Sequence, residues 1–210
     1  NANTVLVEHN HSRGNGDDGF AIFASPDHGG ANGPTKNVTL RHNTSEAQWW
    51  GNGIAVAGGN GHVVEQNLIE SANSCAGIAV SSDFKCWPLN GLRVSGNILS
   101  NCGGNAFKQP WSGLQIYLPG ESLKGLMVLN NIIQRSTYDG VKIAGTHPRN
   151  VLQASLIGNR IESPGANGIV VHVATLGSLT LKGNLVSGLL PQKQEFINGA
   201  PPAKLRVTRN

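Results

Sequence analysis

Two consecutive aspartates, Asp17 and Asp18, stand between glycines in the segment Gly16-Asp17-Asp18-Gly19. Crowding two carboxyls raises the proton affinity of one of them, so that one acts as a general acid near neutral pH while the other stays ionised. Such a pair suits glycosidic cleavage, in which one acid protonates the leaving oxygen and a second group activates water or attacks the sugar. Asp-Gly is also an ordinary turn signal, and Asp139-Gly140 carries it without a partner acid. Consecutive side chains of a regular strand face opposite ways, but the flanking glycines permit a twist that turns both carboxylates to one solvent face.

Other residues with binding chemistry recur around this pair. The segment Gln48-Trp49-Trp50-Gly51-Asn52-Gly53 offers indole faces, which are platforms for the apolar side of a sugar ring. Adjacent positions of an extended segment diverge, so one of Trp49 and Trp50 is expected inside and the other outside. Trp111 and Tyr138 stand at the matching point of later segments and continue the platform. His28, and His62 after Gly58-Gly59-Asn60-Gly61, are candidate substrate contacts, as are Asp139 and Lys142. Asp27 and Asp83 have the chemistry of a calcium-binding edge, but their spacing selects no site, so neither metal nor cofactor is expected.

The elements that must position these residues follow from a repeat. Polar-turn asparagines end seven similar units at Asn10, Asn43, Asn67, Asn97, Asn131, Asn159 and Asn184, spaced by 33, 24, 30, 34, 28 and 25 residues. In six units a second signature follows: Gly19-Phe20-Ala21-Ile22, Gly53-Ile54-Ala55-Val56, Gly77-Ile78-Ala79-Val80, Gly113-Leu114-Gln115-Ile116, Gly140-Val141-Lys142-Ile143 and Gly168-Ile169-Val170-Val171. Each unit thus holds two or three short alternating strands between Gly and Asn turns, without a sustained helical period. This is one coil of an all-β, right-handed parallel β-helix of about seven coils over residues 1–190, with 191–210 as a tail or cap. The turn asparagines are expected in left-handed backbone, their amides bonded coil to coil as an internal ladder. Insertions at Ser25 to Lys36, Ser81 to Asn90 and Asn101 to Ser112 build walls along one face, leaving a groove suited to a polymer.

Composition agrees. The 210 residues include 28 glycines, and only 13% are charged, roughly twice and half the usual shares. With 39% hydrophobic residues and a net charge of +4 the chain can fold, and no run approaches the ~18 apolar residues of a membrane helix. Residues 1–105 hold five Lys/Arg against eight Asp/Glu, whereas 106–210 hold eleven against four. The basic half lacks interleaved aromatics, so neither nucleic acid nor membrane is expected as a partner, and the acidic half favours a neutral sugar polymer. Cys75, Cys86 and Cys102 allow one disulfide without requiring it. The first residue is not Met, and the chain reads as a piece, a monomer missing its N-terminal coils.

The segments Val7-Glu8-His9-Asn10, Gly16-Asp17-Asp18-Gly19-Phe20-Ala21-Ile22 and Trp50-Gly51-Asn52-Gly53-Ile54-Ala55-Val56-Ala57-Gly58-Gly59 together resemble glycoside hydrolase family 87, the bacterial α-1,3-glucanases and mycodextranases. The resemblance continues more faintly through Ser136 to Ile143 and on to about residue 185. It implies a secreted, inverting hydrolase of α-1,3-glucan or nigeran whose adjacent catalytic aspartates map onto Asp17 and Asp18, with a further acid about one coil upstream. Two alternatives stand beside it: a polygalacturonase-like pectin hydrolase, of whose motifs Gly61-His62-Val63 and Val141-Lys142-Ile143 half match, and a non-catalytic glycan-binding β-helix module.

Overall fold

The computed structural model describes residues 2–28, 32–145, 150–173, 176–199 and 205–210. Among the described residues the strands form three sheets of ten, seven and seven strands, and every strand pairing is parallel. The chain winds through the sheets in turn, so each coil pairs with the coil before and after it. The sheet that matters most for function, here the groove sheet, stacks Phe20–Phe23, Ile54–Ala57, Ile78–Ser81, Leu114–Leu118, Val141–Gly145, Ile169–Val173 and Phe196–Asn198.

Register explains why these residues make strands. Ile54, Ile78, Leu114 and Val141 align as one interior row and Val56, Val80, Ile116 and Ile143 as another, all fully buried. The other two sheets add rows such as Leu40, Val64, Val94, Val128 and Leu156, and Ile69, Leu99, Ile133 and Ile161. A β-branched or Leu side chain removed from water contributes about 1.5–3 kcal/mol, and the stack repeats that gain in each coil. The intervening residues point outward and are free to vary.

The asparagine ladder is present in full. From Asn10 to Asn184 each side-chain amide donates to Oδ1 of the next, at 3.1, 3.1, 3.0, 2.9, 3.0 and 2.8 Å in chain order. The same oxygens accept the backbone N–H of the preceding ladder residue. The left-handed residue of the corner is not the ladder Asn but the one before it: His9, His42, Gln66, Gly96, Asn130, Gly158 and Gly183. Turning the chain one position early leaves the Asn aimed into the interior, where its amide completes the bonding.

The C-terminal region also differs from expectation. Phe196–Asn198 pairs with Ile169–Val173, and Leu205–Arg209 pairs with Leu176–Lys182, so the described part of 191–210 continues the helical path rather than leaving it as a tail. The three cysteines are free and buried.

Candidate functional site

The outward face of the groove sheet carries unusually small residues in its first coils. Ala21, Ala55 and Ala79 form one row, and Phe23, Ala57, Ser81 and Tyr117 the next. Over this floor lies a cleft of about 820 Å³. At the end where the strands begin, its wall is Asp17, Asp18, Trp50, Asn52, Phe107 and Trp111; at the other end it is Phe23, Asp83 and Phe84.

The inserted loops build these walls. Ser25 Oγ donates to the Phe84 carbonyl at 3.0 Å, and Lys85 Nζ meets an Asp27 carboxylate oxygen at 2.9 Å, tying the 81–90 loop to the short turn Pro26–His28. On the opposite side the indole N–H of Trp111 donates to the Ala106 carbonyl at 3.1 Å, and the backbone N–H of Ala106 donates to Ser74. Phe84 packs on Phe23 with ring centres 5.6 Å apart, and Phe107 meets Trp50 edge-on at 5.3 Å.

Both aspartates reach this cleft. Asp17 is exposed, and its Oδ1 accepts the Asp18 backbone N–H at 2.8 Å. Asp18 is half-buried, and its Oδ1 accepts two bonds from Asn52, from the backbone N–H at 2.7 Å and the side-chain amide at 2.8 Å. Asn52 Oδ1 in turn accepts the Ala76 N–H at 3.0 Å. Burial lifts the Asp18 carboxyl above its ordinary value; the Asn52 bonds oppose the shift, and the Asp17 charge adds to it. With Oδ1 held as an acceptor, the proton that Asp18 retains belongs on Oδ2. The buried thiol of Cys75 lines the same cleft, pushed up to about 11 chiefly by burial.

The glycines around the pair act by contact rather than by twist. A Cβ at Gly16 would run into the Trp49 ring, and one at Gly19 would meet the Gly53 carbonyl, so the acid corner is threaded tightly against the coil that follows. Neither Gly16 nor Gly19 has a positive φ.

The remaining candidates separate. Trp50 and Trp111 line the cleft, whereas Trp49 lies outside it against Gly16. The expected division of the tryptophans into one buried and one exposed does not occur: Trp49 is 66% and Trp50 42% exposed. Both lie in a bend before the left-handed Gly51, not in a pleated strand, so the alternation rule has no hold there. His62 is fully buried rather than displayed: its Nδ1 accepts the Val38 N–H at 3.2 Å, and burial lowers it to about 4. The glycine turn that was expected to display it folds over it instead, with Gly59 against the imidazole.

Tyr138 and Asp139 stand at a later corner outside the cleft, where Asp139 accepts two bonds from Asn167. Lys142 lines a small adjoining hollow, with Nζ 3.3 Å from the Pro110 carbonyl. His28 closes the turn Pro26–His28, and its side chain lies outside the described residues. Phe23, Phe84, Phe107, Tyr117 and Asp83 line the cleft without having been singled out by the repeat. A bulky ring in the same outward row as Ala57, Ser81 and Ala144 was a signal for Phe23 and Tyr117; the insertions, having no counterpart in other coils, offered none.

A parallel β-helix with an acid pair at the edge of an aromatic-walled cleft is the class that fold and geometry define. The family described as "Right handed beta helix region" matches residues 28–189, and the chain belongs to it. No curated protein matches the sequence. Among solved structures, the chain is similar to a family 87 α-1,3-glucanase catalytic domain in complex with tetrasaccharides, with 20% identity, TM-score 0.81, and coverage of 99% of this chain and 41% of that one. It is also similar to the catalytic unit of a thermostable family 87 α-1,3-glucanase from Streptomyces thermodiastaticus strain HF3-3, with 18% identity, TM-score 0.72, and coverage of 98% and 43%. The A-module of a mannuronan C-5 epimerase from Azotobacter vinelandii is similar at 15% identity and TM-score 0.55, with coverage of 99% and 58%. At these identities the likeness is one of fold, and the chain spans about two fifths of the glucanase domains.

Proposed function

We propose that the chain carries part of the catalytic cleft of a secreted glycoside hydrolase that cuts α-1,3-linked glucan by inversion. The observation that carries this reading is the pairing of an exposed Asp17 with a half-buried Asp18 of raised proton affinity, both lining one aromatic-walled cleft. Asp18 protonates the leaving glycosidic oxygen from Oδ2. Asp17 takes the proton of the attacking water. The likeness to glucanase domains solved with bound saccharides supports the substrate class. A polymer of that size is met outside the cell, which is the argument for secretion; finding the protein only in the cell fraction of its source culture would count against it.

The charge of the cleft favours a neutral polymer over pectin or another polyuronate. Among its described lining residues are three carboxylates, Asp17, Asp18 and Asp83, and no Lys, Arg or His. A polyanion would meet repulsion from these three carboxylates.

The test is reducing-end release from α-1,3-glucan, nigeran and polygalacturonate, with Asp17→Asn and Asp18→Asn beside the parent. Cleavage of the glucans by the parent and loss in both variants is the expected result. Cleavage of polygalacturonate alone would overturn the substrate, and binding without cleavage of any polymer would overturn the enzyme.

A further inference from the structure

Left-handed backbone is common in this molecule, but it falls in an orderly way. Most non-glycine residues with positive φ are single corner positions stacked coil on coil, such as His9, His42 and Gln66, or Ala47, Ser71, Asn101, Arg135 and Ser163. Two places break the pattern. Phe84 and Lys85 have φ of 59° and 49°, and Phe107 and Lys108 have φ of 55° and 57°. The same Phe-Lys dipeptide thus takes two consecutive left-handed turns in two different insertions, one in each wall of the cleft.

Glycine would take these turns without strain, whereas phenylalanine is among the residues least suited to them. Core packing does not explain the choice, because Phe84 is 55% and Phe107 67% exposed. Each ring instead leans on one aromatic neighbour across the wall, Phe23 or Trp50, at 55° and 68° between ring planes, and lines the cleft. Those tilts leave ring face uncovered. The four-residue strands of the floor set the walls roughly 13 Å apart, wide enough for a glycan chain to lie between them. Strained backbone and exposed apolar area are both unfavourable in the empty protein, and a ligand that stacks on the rings offsets them.

We propose that Phe84 and Phe107 are a pair of sugar-stacking subsites, one in each wall, that hold successive residues of a neutral glycan chain over the alanine floor. This deepens the function proposed above and rests on it. The occupant is a neutral glycan because stacking uses the C–H faces of the sugar, and because the charges among the described lining residues are three carboxylates.

The test measures binding apart from turnover. In an Asp18→Asn background, oligosaccharides of α-1,3-linked glucose, β-1,4-linked glucose and galacturonate are titrated calorimetrically into the protein and into its Phe84→Ala, Phe107→Ala and Phe107→Gly derivatives, with Leu190→Ala as a control on a distant coil. Each phenylalanine change is expected to weaken binding of the neutral oligosaccharide by about threefold to tenfold, the size of one aromatic packing contact. Leu190→Ala leaves binding unchanged. Phe107→Gly is expected to lose affinity while its Tm holds or rises, since glycine relieves the left-handed turn. A merely structural ring gives the opposite signature, a lower Tm with unchanged affinity, and would overturn the subsites while leaving the hydrolase reading intact. Binding of galacturonate alone, or of no sugar at all, by the unaltered Asp18→Asn protein would overturn both.

Discussion

Two corners of the helix are built alike and differ in what surrounds them. At each, an aspartate Oδ1 accepts both the backbone and side-chain N–H of an asparagine one coil on, and that asparagine's Oδ1 accepts a backbone N–H of the next coil. At the first corner the residues are Asp18, Asn52 and Ala76, with distances of 2.7, 2.8 and 3.0 Å. At the second they are Asp139, Asn167 and Gln194, with 3.0, 3.0 and 3.1 Å. The device is therefore structural first: it closes a corner by pairing the aspartate Oδ1, the asparagine amide and the backbone N–H of the next coil. Only at the first corner does a second acid precede it, Asp17 in place of Tyr138, and only there do Trp50, Phe107 and Trp111 gather around it. Hydrogen-bond geometry alone does not make an acid catalyst; proximity to a second charge and exclusion of water do.

The largest separation of the two corners is expected in turnover. Asp18→Asn keeps the Oδ1 acceptor and so keeps the corner, but removes the proton donor, and kcat should fall by about a hundred- to ten-thousand-fold. Asp139→Asn makes the identical exchange and should leave kcat within about twofold of the parent. Equal losses at both corners would mean that the second also serves catalysis, and equal indifference would return Asp17 and Asp18 to the status of a turn.

A smaller effect separates the two asparagines. Asn52→Ala and Asn167→Ala each remove one donor to the aspartate and the acceptor for the next N–H, and both should cost about 1–3 kcal/mol of stability by denaturant titration. Their pH profiles should differ. The Asn52 bonds hold the Asp18 carboxyl down against burial, so losing the side-chain donor lifts it further. Activity that needs protonated Asp18 then persists to higher pH, and the alkaline limb of kcat should move up. A limb that moves downward, or that moves equally in Asn167→Ala, would contradict the assignment of Asp18 as the acid.

What the sequence made legible follows the same division. The coils, the ladder from Asn10 to Asn184 and the Asp17–Asp18 pair were readable because each occupies a repeated position whose neighbours are set by stacking. The cleft walls were not. Phe84 and Phe107 lie in insertions with no counterpart in other coils, so no stack predicts where their rings point. Trp49 and Trp50 misled because a bend does not obey strand alternation. His62 misled because a glycine-rich turn can close over a side chain as readily as present it, and here the Val38 N–H gives the imidazole a partner inside. A repeat fixes the residues that contact their own copies, whereas Phe84 and Phe107 wall the cleft where the chain leaves the repeat.

The smallest effect is a stability difference at Asp18 itself. Its carboxyl in the folded chain lies above the ordinary value of 3.8, so the folded state holds a proton that the unfolded state has released. Stability from this group is therefore fully present below pH 3.8, declines as pH rises through the raised value, and stays low above it. Once ionised, Asp18 is a half-buried charge beside Asp17. Asparagine carries no such charge. Asp18→Asn should thus raise Tm by a few degrees at pH values above the raised carboxyl value, and the gain should vanish as the pH is brought below that of the ordinary carboxyl. Calorimetric melting of the two proteins across that range reads this directly. Curves that run parallel would show that the acid corner stores no cost of ionisation, and that what distinguishes it from the Asp139 corner is its cleft alone.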